Sequence, residues 1–208
     1  MHHFIFPSKD SWISSGSSTI TGETFTDTNF GRDQILEIKK FFYNSSFHHQ
    51  TRALIQFSGN EFTELSKSVA DETIRNPKYY LRLYEAEGNA ELTEEYKLAF
   101  QPISQSWVEG TGKFGDNPKN TNGVSFENRS NPIGGTEITW SNADGTNNSD
   151  ISILNVSSSV QSFSDESPDI NVEVTDMINM WLQSQAENYG MLIDLVEVKK
   201  LMKKHLVI

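Results

Sequence analysis

Two short runs constrain this chain more than any other feature: Thr51–Phe57 (TRALIQF) and Tyr79–Glu85 (YYLRLYE). In the first, Ala53, Ile55 and Phe57 alternate with Arg52, Leu54 and Gln56; in the second, Tyr79, Leu81 and Leu83 alternate with Tyr80, Arg82 and Tyr84. Alternate side chains leave opposite faces of a strand, so each run offers one apolar face to a core. Both are rich in β-branched or aromatic residues, and neither contains Gly or Pro. They read as central strands of a sheet, with the mixed second face only partly covered.

The remaining apolar segments are short and separated by Gly, Asn, Ser and Thr, a pattern that favours an all-β sandwich or barrel. With 208 residues the chain can bury a substantial core as one domain. A formal net charge of −11 argues against nucleic acid and anionic membrane as partners, because phosphate binding needs clustered Lys and Arg. The absence of cysteine removes disulfides, zinc–thiolate sites and thiol catalysis. No apolar run reaches the roughly 20 residues of a membrane helix. The opening MHHFIFPSKD lacks the charged and apolar regions of an ordinary signal peptide. A cytoplasmic protein, or one that leaves its host inside a virus particle, is expected.

Along the chain, Phe4–Pro7 is expected as an edge strand, and Lys9–Ser14 as a strand around Trp12. Gln34–Lys39 with Phe41–Tyr43 leads up to Thr51–Phe57. Phe62, Leu65 and Val69 carry a helical period over about Glu61–Glu72, with Asn60 as cap. Strands follow at Glu94–Gln105, with Tyr96, Leu98 and Phe100 on one face, within Ser152–Phe163, and at Ile170–Val174. A second helix is expected over Thr175–Ala186, burying Met177, Ile178, Trp181 and Leu182 and capped by Thr175 or Asp176. Asn188-Tyr189-Gly190 turns the chain into a strand at Met191–Ile193.

An ordered series of short motifs is more specific than any one of them. It runs Asp27-Thr28-Asn29-Phe30-Gly31, Arg52–Phe57, Leu81-Arg82-Leu83-Tyr84, Ser106-Trp107-Val108-Glu109-Gly110, Thr139-Trp140, Val174-Thr175-Asp176 with Trp181, and Asn188-Tyr189-Gly190. The series resembles the DNRLRE family of β-sandwich domains, related to carbohydrate-binding modules, over about residues 9–193. The wording between the motifs is similar to virion structural proteins of tailed phages that use such a domain in tail, baseplate or another peripheral position. The resemblance implies an antiparallel jelly-roll sandwich in which Arg52, Leu81, Leu83, Trp107, Trp140, Trp181 and Tyr189 are structural.

After Gly190 the sequence departs from the family. Asp194–Ile208 (DLVEVKKLMKKHLVI) is basic and has helical spacing at Leu195, Val198, Met202 and Leu206, whereas the family continues into further strands. A truncated or frameshifted ending is favoured over a native divergent one, and it would leave a sheet edge unpaired. The domain is therefore taken as 1–193, with 194–208 as a divergent tail.

The candidate sites each have a bland alternative. Trp12, Tyr80, Tyr84, Trp107 and Trp140 are possible sugar platforms, although motif tryptophans, Trp181 above all, usually fill a core. Arg52 and Arg82 are candidates to grip an acidic sugar, with pairing to Glu85 or Asp176 as the plainer role. Asp144, Thr146, Asn148 and Asp150 alternate as in a calcium loop but lack its Gly and bidentate Glu, so a solvated turn is expected. His48-His49 has no third ligand nearby. Glu109 is the best-placed single carboxylate, but glycoside hydrolysis needs an opposed pair. No nucleophile elbow or phosphate-binding loop occurs. The expectation is a non-catalytic, cofactor-free virion component that works through protein–protein assembly, as a homo-oligomer beside other virion proteins. A module or adhesin for cell-surface polysaccharide is the alternative, and a hydrolase or lyase a third class.

Overall fold

The computed structural model describes residues 3–17, 23–43, 46–88, 96–140, 159–163, 169–198 and 204–207. Antiparallel strand is the main regular structure among them, with two short helices. The strands are β1 (Lys9–Ser14), β2 (Glu37–Tyr43), β3 (Ser46–Gln56), β4 (Tyr80–Leu83), β5 (Glu87–Gly88), β6 (Tyr96–Pro102), β7 (Asn128–Ser130), β8 (Ile138–Thr139), β9 (Ser159–Phe163), β10 (Ile170–Glu173), β11 (Met191–Val198) and β12 (Lys204–Val207). The helices are α1 (Asn60–Ala70) and α2 (Thr175–Leu182).

One eight-stranded sheet runs β5-β12-β2-β3-β11-β6-β9, with β1 also paired to β3. The register explains how β3 takes three neighbours. Ala53 pairs with Trp12 of β1 and with Ile193 of β11, while Thr51 pairs with Ser14 of β1 and with Lys39 of β2. A strand has only two edges, so β1 lies along one of them. On the other, β11 pairs near the end of β3 and β2 pairs near its start. The sheet therefore forks along β3.

The period-two alternation of these strands sorts the core into two clusters, one on each face. Trp12, Ala53, Ile55, Leu98, Phe100, Met191, Ile193 and Leu195 point to one side, where Phe30, the β4–β10 ribbon and α2 cover them. Met177, Ile178, Met180 and Trp181 are the buried face of α2. Ile13, Leu54 and Leu192 point to the other side, under Ile103, Trp107, Val124, Phe126 and Trp140 from the excursion that carries β7 and β8. The second face of β3 is thus as dry as the first, against expectation: Leu54 is 0 % and Arg52 2 % exposed.

Several sequence expectations are corrected. Among the described residues the Tyr79–Glu85 run forms no central strand, and β4 pairs with β10 in a separate ribbon. Alternation reports a buried face, and both settings satisfy it. Phe4–Pro7 forms no strand, and Phe4 and Phe6 are exposed. In α1, Phe62, Leu65 and Val69 share the half-buried side, but the cap is Gly59, and Asn60 is already helical. α2 ends at Leu182 and is capped by Val174. The helix expected beyond Asp194 is replaced by strands: β11 runs on to Val198 against β6, and β12 pairs with β2 and β5. Sheet pairing along β6 overrides the weak helical spacing there.

Asp194 holds the fork of the sheet. Its side chain is 1 % exposed and stands 3.7 Å from Arg52 Nε and 3.7 Å from Lys40 Nζ. Gln50 Nε2 donates to its Oδ1 at 2.8 Å, and Arg52 Nη2 donates to Gln50 Oε1 at 3.3 Å. The Arg52 guanidinium also lies over the Phe126 ring, 5.7 Å from its centroid. Burial pushes the Arg52 and Lys40 pKa values down, and the Asp194 charge opposes the shift in both. Breaking a buried pair leaves an uncompensated charge, so Asp194→Ala is expected to lower unfolding stability by about 3–5 kcal/mol. Arg52→Met with Asp194→Leu should recover part of that loss. Urea denaturation of the three proteins checks this.

Candidate functional site

The motifs that suggested a family meet in space, and most of them build scaffold. Asn29, 0 % exposed, is the centre. Its Nδ2 donates to Glu109 O (2.7 Å) and Val124 O (2.8 Å), and its Oδ1 accepts from Gly31 N (3.2 Å) and Gly112 N (2.7 Å). Every polar atom of the amide is used, as burial demands. The glycines are needed for this close approach. A Cβ on Gly110, whose φ is +85°, would lie 2.0 Å from Asn122 O and 2.4 Å from Asn29 Oδ1.

All four tryptophans are interior, which removes Trp12, Trp107 and Trp140 as sugar platforms. Trp12 stacks on Phe30 at 3.7 Å and donates from Nε1 to Asp33 Oδ2 at 2.8 Å. Trp107 donates to Tyr189 O at 2.8 Å, and Trp140 to Ser125 O at 3.1 Å. Trp181 packs in the first cluster, where its Nε1 has no partner among the described residues. Truncating a buried Trp costs about 3–5 kcal/mol, whereas an aromatic stacking contact returns about 0.5–1.5 kcal/mol. Swinging one out to meet a sugar is therefore unfavourable. Leu81 is buried, Leu83 packs against the first cluster, and Tyr189 packs against the second. Asn188 Nδ2 donates to Phe57 O at 2.7 Å, so the Asn188-Tyr189-Gly190 turn clamps the end of β3.

The two arginines part company. Arg52 is buried on Asp194, which is neither of the expected partners, and no saccharide reaches it. Arg82 is exposed on β4 and makes no ion pair among the described residues. It stands between Tyr80, 50 % exposed, and Tyr84, 65 % exposed, at alternate positions on the outer side of the ribbon. Asn171 and Glu173 of β10 lie opposite Arg82 and Tyr80. Glu173 also accepts from Thr175 Oγ1 (2.9 Å) and Lys78 Nζ (3.3 Å), and these bonds hold its pKa below the usual carboxylate range. The ribbon thus presents a free guanidinium between phenol rings, with a fixed carboxylate beside it. Such a surface can stack a ring and pair with an acidic group.

Glu109 does meet a second carboxylate, Asp10, but through the backbone: its Oε1 accepts from Asp10 N at 3.0 Å. Lys9 Nζ donates to Trp107 O and lies 4.1 Å from the centroid of the Trp107 ring. This contact pins the start of β1. The calcium candidates Asp144, Thr146, Asn148 and Asp150 lie outside the described residues. His49 Nε2 is 3.0 Å from Ser14 Oγ, and no metal-binding group of three His, Asp or Glu side chains occurs among the described residues. No helix among them is long and apolar enough to cross a membrane.

The sequence missed an open, polar cleft of about 580 Å³ between the 116–122 and 131–137 loops. Single residues there carry no pattern, and the Asn, Pro and Gly content reads only as loop. Comparison with protein-family models finds no match, and comparison with curated proteins finds no significant relative.

Burial, and then the Glu109 charge, raise the Asp10 pKa above its ordinary 3.8. The folded chain therefore keeps this proton over a window in which the unfolded chain has lost it, and stability falls as pH rises through that window. Asp10→Asn is expected to raise the melting temperature at pH 7, with the gain vanishing below about pH 4. Paired thermal melts from acid to neutral pH measure it.

Proposed function

We propose that this chain is a non-catalytic DNRLRE-type domain, a jelly-roll β-sandwich, that serves as a peripheral structural component of a tailed-phage virion. The observation that carries this reading is the convergence of the motifs. Asn29 and Gly31 lock onto Glu109 and Gly110, Trp107 bonds to Tyr189, and Asn188 clamps Phe57. Residues that pack on one another in this way build a scaffold, which is the role the resemblance implies for them. The seat of the charge agrees: a net −11 suits contacts with other proteins better than with nucleic acid or anionic lipid. Assembly would proceed by surface complementarity, as a homo-oligomer among other virion proteins, with symmetry multiplying weak contacts. No cofactor and no membrane insertion belong to this reading.

Quantitative mass spectrometry of purified particles from the source phage, or its closest culturable relative, is the test. Stoichiometric peptides from this chain are expected. Absence from particles, with abundance in the infected-cell lysate, would overturn it.

The alternative, a module or adhesin for cell-surface polysaccharide, rests on the outer ribbon. Tyr80, Arg82 and Tyr84 are the sequence candidates that remain exposed, and they suit an acidic chain. Tyr80→Ala with Tyr84→Ala should abolish retention on an acidic polysaccharide column and leave the melting temperature within about 2 °C, because both rings are largely solvated. Unchanged retention would sink this alternative.

A further inference from the structure

The ribbon of β4 and β10 leaves one strand edge open. Val174 N donates to Tyr79 O at 2.9 Å. By alternation Tyr79, Leu81 and Leu83 turn their backbone groups toward β10, and Tyr80 and Arg82 turn theirs away from it. The far edge of β10 is sealed by side chains of β9. Asn171 N donates to Gln161 Oε1 at 2.9 Å, and Ser159 Oγ donates to Glu173 O at 2.6 Å. The outward N–H and C=O groups of Tyr80 and Arg82 have no such partner among the described residues. Strand edges are usually blunted by Pro, a bulge or several charges. The stretch Lys78–Glu85 (KYYLRLYE) contains no Pro, and β4 pairs with β10 without a bulge.

This edge is complementary to itself. Two copies of β4 laid antiparallel about a two-fold axis at Leu81 set Tyr80 of each against Arg82 of the other, in hydrogen-bonded pairs. Each guanidinium then meets a phenol ring, and symmetry repeats the contact. Glu173 lies opposite Tyr80 and Asn171 opposite Arg82, so the exposed face reads Glu173–Tyr80–Arg82–Asn171 across the join. The inner face continues as Val172–Leu81–Leu81–Val172, flanked by Ile170–Leu83–Tyr79–Val174, all of them residues of the first cluster. Neighbouring registers are worse. An axis at Arg82 sets Arg82 against itself, one at Tyr80 sets Arg82 against Lys78, and one at Leu83 sets Leu81 against Glu85. The axis at Leu81 avoids every like-charge and charge-on-apolar pairing within Lys78–Tyr84.

We propose that two copies of this chain pair edge to edge through β4, joining their ribbons into one continuous sheet. The inference deepens the assembly reading by naming the surface on which copies meet, and it rests on that reading for its place in a particle.

Sedimentation velocity of the purified full chain over about 1 μM to 1 mM, the range of weak association, tests it. Amide hydrogen exchange is followed at both ends of that range. A concentration-dependent dimer is expected, with slowed exchange of the Tyr80 and Arg82 amides at the high end. Arg82→Glu removes both cation–ring pairs and should weaken the dimer about tenfold. Its melting temperature in dilute solution should stay within about 2 °C, because the side chain is exposed. The chain has no cysteine, so Leu81→Cys carries a single thiol. On oxidation it should give a disulfide-linked dimer, since opposed residues of a non-hydrogen-bonded pair lie about 4.5 Å apart at Cα. Leu83→Cys, displaced from the axis, should not. A chain monomeric throughout, a dimer whose Tyr80 and Arg82 amides stay unprotected, a dimer indifferent to Arg82→Glu, or equal cross-linking of the two cysteine variants would each overturn the proposal. Absence of the chain from purified particles would fail the assembly reading alone, because self-association is measured on the isolated protein.

Discussion

The buried ionic crossing at Asp194 is the constraint on which the rest of the sheet depends. β3 exchanges one neighbour for another along a single edge, and the exchange falls where Asp194, Gln50, Arg52 and Lys40 meet. A carboxylate at this depth is tolerated only with cations and donors around it. Shifting β11 by one residue would carry Asp194 into the first cluster and Ile193 away from it, since alternate residues face opposite ways. The polar crossing and the apolar alternation thus fix the same register. Both clusters inherit their positions from it.

The second layer is organised by a different interaction. Asn29 replaces four missing backbone partners with one amide, and small residues around it let the 106–112 and 122–126 segments approach. These loops carry little regular structure, yet they bury Trp107, Phe126 and Trp140 against Ile13, Leu54 and Leu192. Rigidity bought this way extends outward to the cleft, where Asn120 hangs on the backbone of Asn29. Scaffold and candidate sites are therefore separable. Motif residues hold the interior, and what could meet a partner lies on the ribbon face and in the loops.

Much of the core was legible from period alone. Ala53, Ile55, Tyr96, Leu98, Phe100, Ile170, Val172, Met177, Ile178 and Trp181 are buried as their spacing required. The candidate sites were legible only in part, because exposure is not written in residue type. Trp12 and Tyr80 are both aromatic residues at strand positions, yet Trp12 stacks on Phe30 and Tyr80 is half exposed. Arg52 and Arg82 occupy equivalent places in their runs. One meets Asp194 from a strand some 140 residues on, and the other meets water.

By itself the sequence determined the local periods, the breaks between them, the all-β composition and the acidic balance, because each depends on neighbours within a few residues. Only the tertiary structure decided that β4 leaves the main sheet, that the 194–198 segment extends β11, and that the Thr51–Ile55 part of β3 is buried on both faces. It also decided which loops enclose the cleft. Those outcomes depend on strand pairings and loop contacts between residues far apart in the chain, whose energies no local pattern contains.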